Sequence, residues 1–172
     1  MQSKAFYGLH NLIHLNITAH YVSSLKSYIF YNLLNLQELF LIGSAKNYFP
    51  SKILQDAKNL EYLSVSNNSY LTELPSQFCA NMLQLETVVI EDNGIHRLPE
   101  DLFLNSSGII TILLRKNKLM NLPENIFYGL LNLQKLDLSS NEIIQLSDDV
   151  FFGLFSLTQL DLSNNNIKSF NK

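Results

Sequence analysis

The sequence predicts an α/β solenoid bent into a horseshoe, with a parallel β-sheet on its concave face and loops and short 3₁₀ turns on its convex face. Three observations predict it: an apolar frame returning about every 24 residues, an asparagine closing most copies, and a phenylalanine at a fixed place in the back half. The frame L-x-x-L-x-L-x-x-N fits Leu133, Leu136, Leu138, Asn141 and again Leu157, Leu160, Leu162, Asn165. It recurs at Ile109, Ile112, Leu114, Asn117, at Leu85, Val88, Ile90, Asn93 and at Leu60, Leu63, Val65, Asn68. Two weaker copies come first, one closing on Ser44 after Leu36, Leu39 and Leu41, the other on His20 after Leu12, Leu15 and Ile17. First positions at 12, 36, 60, 85, 109, 133 and 157 step by 24 residues, once by 25, and give about seven repeats.

Each element follows from that frame. Alternation across the second and third apolar positions sends two side chains to one face and the residue between them to the other, which is a short strand. A return after so few residues stacks the strands in parallel. It also leaves each link as a narrow loop, so the convex side is wider than the strand side and the stack curves. The closing asparagine has a backbone task, since its amide can pair with main-chain groups of its own and neighbouring rungs that no sheet ladder reaches. His20 and Ser44 do this only in part, which predicts a less regular turn in the first two rungs. Phe6, Phe30, Phe103, Phe127 and Phe151 share one register in the back half, and Leu54 and Cys79 occupy the same register. Stacked rings fill the convex half of the core. Cys79 then reads as a small buried hydrophobe in a phenylalanine slot, leaving a void unless Phe78 or Met82 moves in.

Composition excludes several functions. The chain has 172 residues, 47% hydrophobic and 16% charged, which suits a packed core and not a disordered tail. Twelve Lys and Arg against fifteen Asp and Glu give a net charge of −3, with no basic excess to neutralise a nucleic-acid backbone. One cysteine excludes an internal disulfide framework and a multi-thiolate metal site. No apolar run approaches the ~18 residues of a membrane span, and Met1-Gln2-Ser3-Lys4-Ala5 lacks the pattern of a secretory signal. His10, His14, His20 and His96 share no ligand spacing, and six glycines form no phosphate loop or nucleophile elbow. Asp137 and Asp161 stack in register, yet Leu-Asp-Leu-Ser is an ordinary solvent-facing strand and nothing nearby supplies a nucleophile or further ligands. The expectation is a protein without enzymatic activity, cofactor or metal.

What remains is surface recognition. Between the core positions the central column reads Asn16, Phe40, Ser64, Val89, Leu113, Asp137, Asp161, and the next reads Thr18, Ile42, Ser66, Glu91, Arg115, Ser139, Ser163. Phe40, Ile42, Val89 and Leu113 place apolar side chains where solvent contact is expected, with Tyr62, Glu91 and Arg115 at their rim. An apolar centre with an aromatic and charged rim suits a protein ligand. The competing interpretation is scattered surface hydrophobes without a role.

The repeat, with its LPxxLF or IFxGL back half, resembles the typical extracellular leucine-rich repeat. Leu98-Pro99-Glu100-Asp101-Leu102-Phe103 and Leu122-Pro123-Glu124-Asn125-Ile126-Phe127 are similar to copies in Toll and Toll-like receptor ectodomains, invertebrate Toll in particular. Proteoglycan-type, Slit-type and lamprey antigen-receptor repeats share most of these letters. Ala5-Phe6-Tyr7-Gly8-Leu9 matches Ile126-Phe127-Tyr128-Gly129-Leu130, and the last copy stops after Ile167 and Phe170, with no cap at either end. Residues 1–172 are therefore expected to be a single array, a fragment of a longer ectodomain. The resemblance implies a cell-surface receptor segment on the extracellular side of the membrane, reaching the membrane only through parts outside this segment. It implies a protein ligand, of which a Spätzle-like cystine-knot cytokine is one kind, and receptor dimerisation. In that setting the sequons at Asn16, Asn67 and Asn105 become glycosylation sites. Asn16 points from the concave sheet, Asn67 lies at its rim and Asn105 on the convex side. Two other functions fit the same letters: structural spacer rungs that hold remote sites apart, and an intracellular adaptor for protein–protein interaction.

Overall fold

The structure is a computed structural model and describes residues 5–18, 25–43 and 48–169. Seven strands form one parallel sheet in chain order: β1 His14–Thr18, β2 Glu38–Ile42, β3 Tyr62–Ser66, β4 Thr87–Glu91, β5 Thr111–Leu113, β6 Lys135–Asp137 and β7 Gln159–Asp161. Register follows the repeat frame without a slip. Leu15, Leu39, Leu63, Val88, Ile112, Leu136 and Leu160 are successive Cα partners. The convex links are chains of turns closed by i to i+3 backbone bonds, such as Ile126 N to Pro123 O at 3.2 Å and Leu102 N to Pro99 O at 3.1 Å. No helix forms among the described residues, so the α part of the predicted class is reduced to these turns.

The predicted asparagine ladder is present. Asn141 Nδ2 donates to the carbonyls of Leu114, Leu138 and Ser139 at 3.0, 3.0 and 3.3 Å, while its Oδ1 accepts from Leu119 N at 3.2 Å. Asn165 repeats the pattern one rung later. The residue before each ladder asparagine is left-handed: Asn67, Asp92, Lys116, Ser140 and Asn164 have φ between 54° and 59°. Asn and Asp tolerate that conformation better than other side chains, which accounts for three of the five. His20 and Ser44, where a less regular turn is expected, lie outside the described residues.

The 25-residue step is absorbed at one point. Leu71 and Ile95 are 24 residues apart whereas Asn68 and Asn93 are 25 apart, so the extra residue sits at Ser69–Tyr70, opposite Gly94. A Cβ on Gly94 would stand 2.6 Å from Ser69 O and 3.2 Å from Leu71 O, a distance only glycine permits. The ladder is rerouted to match. Asn93 Oδ1 accepts from the backbone and side-chain nitrogens of Asn68, both at 3.0 Å, and Leu71 N turns back to Asn68 O at 2.8 Å.

Ring stacking on the convex side joins Phe6 to Phe30 at 6.2 Å, Phe103 to Phe127 at 6.4 Å and Phe127 to Phe151 at 6.3 Å. The column breaks at Leu54 and Cys79, both buried. There the aromatic pair has moved off register. Phe49 stands in the column of Leu74 and Leu98, Phe78 in that of Leu102 and Ile126, and their rings stack at 5.4 Å. Phe78 and Met82 are both buried beside Cys79. Beside them an open groove of about 290 Å³ is lined by Leu54, Phe78 and Met82 and by the polar Lys52, Gln55 and Lys58.

Candidate protein-binding face

Parallel pairing brings the outward residues of neighbouring rungs to about 4.8 Å from each other, so the concave face is a surface of columns. Asn16, Phe40, Ser64, Val89 and Leu113 are successive Cα partners, and Asp137 and Asp161 continue the line. Phe40 and Leu113 are half-buried, as are Ile42, Tyr62 and Glu91, while Arg115 is exposed.

Val89 departs from its expected place on the open surface. Only 6% of it is exposed, on a central strand between its register partners Ser64 and Leu113 and on the same face as the Glu91–Arg115 pair. Ser64 and Ser66 are buried as well. The face is therefore two apolar ridges, Phe40 with Ile42 and then Leu113, separated by a low strip at Ser64, Ser66 and Val89.

The first ridge is larger than the column reading foresaw. Phe40 lies between His14 and Tyr62, with ring centroids 5.1 Å from each and interplanar angles of 40° and 29°. His14 Nδ1 is 2.6 Å from Glu38 Oε2, which ties the outer ring to the rim. The signal was available, since strand alternation puts His14, Glu38 and Tyr62 on the face of Asn16, Phe40 and Ser64.

Electrostatics frames the strip between the ridges. Arg115 Nε donates to Glu91 Oε2 at 2.5 Å, and this bond with the Glu91 charge raises the guanidinium pKa further. Burial raises the Tyr62 hydroxyl pKa, and the carboxylates of Glu91 and Glu38 raise it again. At neutral pH Tyr62 keeps its proton and offers a donor between two acidic groups. Asp137 and Asp161 spend their oxygens locally. Asp137 Oδ1 accepts from Ser139 N at 2.9 Å and Ser139 Oγ at 2.6 Å, and Asp161 Oδ1 from Ser163 N at 2.9 Å. No group of three or more His, Cys, Asp or Glu side chains gathers at metal-binding distance among the described residues.

The sequon asparagines sit on three sides. Asn16 is exposed on β1, its Oδ1 accepting from Thr18 Oγ1 at 2.9 Å. Asn67 is exposed at the left-handed turn after β3, and Asn105 is exposed at a convex turn with φ 58°.

Comparison with known proteins follows the same repeat. A family model described as leucine rich repeat matches residues 83–143 and again 107–167, and one described as BspA type leucine rich repeat region matches residues 1–110 in six copies. The chain belongs to the leucine-rich repeat family. This leucine-rich repeat chain is similar in structure to Toll of Drosophila in the Toll–Spätzle complex, with a TM-score of 0.86 and 29% identity, over 93% of this chain and 21% of that one. The glycosylated form of that complex gives 0.85 and 29%, over 92% and 21%. A leucine-rich repeat protein of Leptospira interrogans gives 0.71 and 26%, over 91% and 44%. The Toll-like character of the repeats thus holds in three dimensions, while the chain spans about a fifth of the Toll chain it matches. No curated protein sequence matches it. Leucine-rich repeat ectodomains of this kind are typically non-enzymatic.

Proposed function

We propose that this chain is a ligand-recognition segment of a Toll-like receptor ectodomain, part of a longer repeat array on the extracellular side of the cell membrane. Its ligand is a protein, and a Spätzle-like cystine-knot cytokine is the kind that the likeness to the Toll–Spätzle complex favours. Recognition works by shape and burial, in the service of innate immune or developmental signalling, with receptor dimerisation following. The observation that carries this reading is the pair of apolar ridges on the concave strands. The His14–Phe40–Tyr62 ring stack and Ile42 form one, Leu113 the other, and the Glu91–Arg115 pair stands at their rim. Aromatic anchors with a charged rim are what protein interfaces use, and the apolar centre contributes most of the affinity once water is excluded.

Asn16, Asn67 and Asn105 carry glycans in this reading, all three being exposed. A glycan on Asn16, the register partner of Phe40, covers the β1 edge of this face, so Phe40, Ile42 and Tyr62 meet the ligand while His14 supports the Phe40 ring from the glycan side. Site-by-site mass spectrometry after secretory expression is expected to find the three occupied, and three empty sites would favour an intracellular adaptor. The binding test is the pair Phe40→Asp and Leu113→Asp, read against a Spätzle-type cystine-knot dimer. Each is expected to weaken binding at least about tenfold, in line with the loss of an interface anchor, with the circular-dichroism spectrum unchanged and melting still cooperative, lowered only by the lost half-buried contacts. Unaltered affinity in both variants rules out the concave face as the ligand-binding surface and favours structural spacer rungs.

A further inference from the structure

The convex turns of the fifth and sixth rungs carry a second surface, apart from the concave strands. Ile126 N bonds to Pro123 O and Tyr128 N to Asn125 O; one rung on, Val150 N bonds to Ser147 O and Phe152 N to Asp149 O. Stacked Phe127 and Phe151 inside fix the distance between these turns. One residue further along each turn, Tyr128 and Phe152 point outward, 73% and 67% exposed. Among the described residues neither ring meets another aromatic side chain. A groove of about 360 Å³ opens at them, lined by Glu124, Asn125, Tyr128, Asp149, Val150 and Phe152.

The charges at this groove are as unmatched as its rings. Neither Glu124 nor Asp149 is within ion-pair distance of a cation among the described residues. Asp148 adjoins Asp149 in sequence, and neither residues 121–134 nor residues 144–160 contain a Lys or Arg. Leu131 and Phe155, three residues on from Tyr128 and Phe152 in their rungs, are exposed as well. Two bare π faces with carboxylates at their edge complement one chemistry: a cation on an apolar stem, held by the ring faces and the carboxylates together. The volume is at the low end of the ~300–1,000 Å³ typical of sites that engulf small molecules. An inserted side chain fits it better than an enclosed ligand.

We propose that this groove is a docking site for an arginine or lysine side chain on a basic loop of a protein partner, with the guanidinium or ammonium group lying between Tyr128 and Phe152 and facing Glu124 and Asp149. Leu131 and Phe155 cover the apolar neighbours of that side chain. The surface is separate from the concave face, and each can be removed without the other.

The test is a ring-resonance NMR titration of the 172-residue chain with acetyl-Gly-Arg-Gly-amide, compared with the neutral acetyl-Gly-citrulline-Gly-amide. Saturable shifts are expected at Tyr128 and Phe152 and not at Tyr62, with the citrulline peptide at least about threefold weaker. The E124Q/D149N double variant, altered only at exposed side chains, is expected to bind the arginine peptide roughly fivefold more weakly and to lose most of its salt dependence. Phe152→Leu keeps an apolar side chain but removes a π face, and is expected to weaken binding about threefold. Absent or non-saturating shifts at the two rings, equal binding of the citrulline peptide, or equal binding by E124Q/D149N would each overturn the proposal.

Discussion

Asn141 shows how much one residue type does in this chain. Its amide serves three carbonyls and one backbone nitrogen in two adjacent rungs, all out of reach of water. Asn141→Ala is expected to cost roughly 1–3 kcal/mol, the penalty for leaving buried polar groups unpaired. Asn132, exposed and donating only to Ser107 O at 2.9 Å, is the contrast. Its change to Ala is expected to stay within about 0.5 kcal/mol, as surface substitutions do. Urea unfolding measures both. Cys79 makes the opposite point, a polarisable group with no partner to serve. Complete burial pushes its thiol pKa well up, so the folded state holds the proton where the unfolded chain gives it away. Raised in the folded state, it adds stability that is full below its unfolded pKa of about 8.5 and declines as pH rises beyond it. Between pH 9 and 10 the wild type is expected to lose about 1.2 kcal/mol more than Cys79→Ala in unfolding free energy. Alkylating reagents are expected to reach Cys79 only after unfolding.

At the scale of the single rung, the question is how a repeat tolerates an exception. The inserted residue at Ser69–Tyr70 is accommodated because Gly94 lets Ser69 O approach to a distance no Cβ allows. Gly94→Ala is expected to destabilise by roughly 1–3 kcal/mol, the cost of overpacking. Gly129→Ala, at φ +83° with nothing within 4 Å of the added Cβ, is expected to cost about 1–2 kcal/mol from backbone strain alone. Deleting Tyr70 restores the 24-residue step and is expected to recover most of the Gly94→Ala loss but none of the Gly129→Ala loss. Chemical denaturation midpoints of the two double variants decide this. Strand positions, register and the asparagine ladder were legible in the sequence because each depends only on a residue and its counterpart one rung away. Phe78 was legible as a candidate to fill in beside Cys79, but its pairing with Phe49 was not, because that pair crosses columns: the rings that Leu54 and Cys79 lack are supplied from positions where the repeat calls for an aliphatic residue. Its one trace in the sequence is two phenylalanines out of place in the very rungs where the column fails.

For the whole molecule the consequence is a protein whose interior follows one repeat with local exceptions and whose surface varies from rung to rung. Most rungs contribute the same aliphatic frame and asparagine bonds, so stability sums over neighbours. Identity lies in what each rung exposes. The concave candidate residues were legible as columns, and Phe40, Ile42, Tyr62, Glu91, Leu113 and Arg115 lie at the surface they were assigned to, exposed or half-buried. Burial of Val89 and the His14–Phe40–Tyr62 stack were not legible, since each depends on how tall the neighbouring side chains stand and which way their rings turn. The groove at Tyr128 and Phe152 was hidden for the same reason: the letters Tyr-Gly-Leu and Phe-Gly-Leu read as turn, and only the fold shows both rings uncovered beside unpaired carboxylates. The central claim is that recognition resides on the concave ridges, and it is tested most directly by the affinity of the cystine-knot ligand proposed above for the wild type, Phe40→Asp and Leu113→Asp, with melting recorded alongside. Each variant is expected to lose at least about tenfold in affinity while still melting cooperatively; wild-type affinity in both would remove recognition from these ridges.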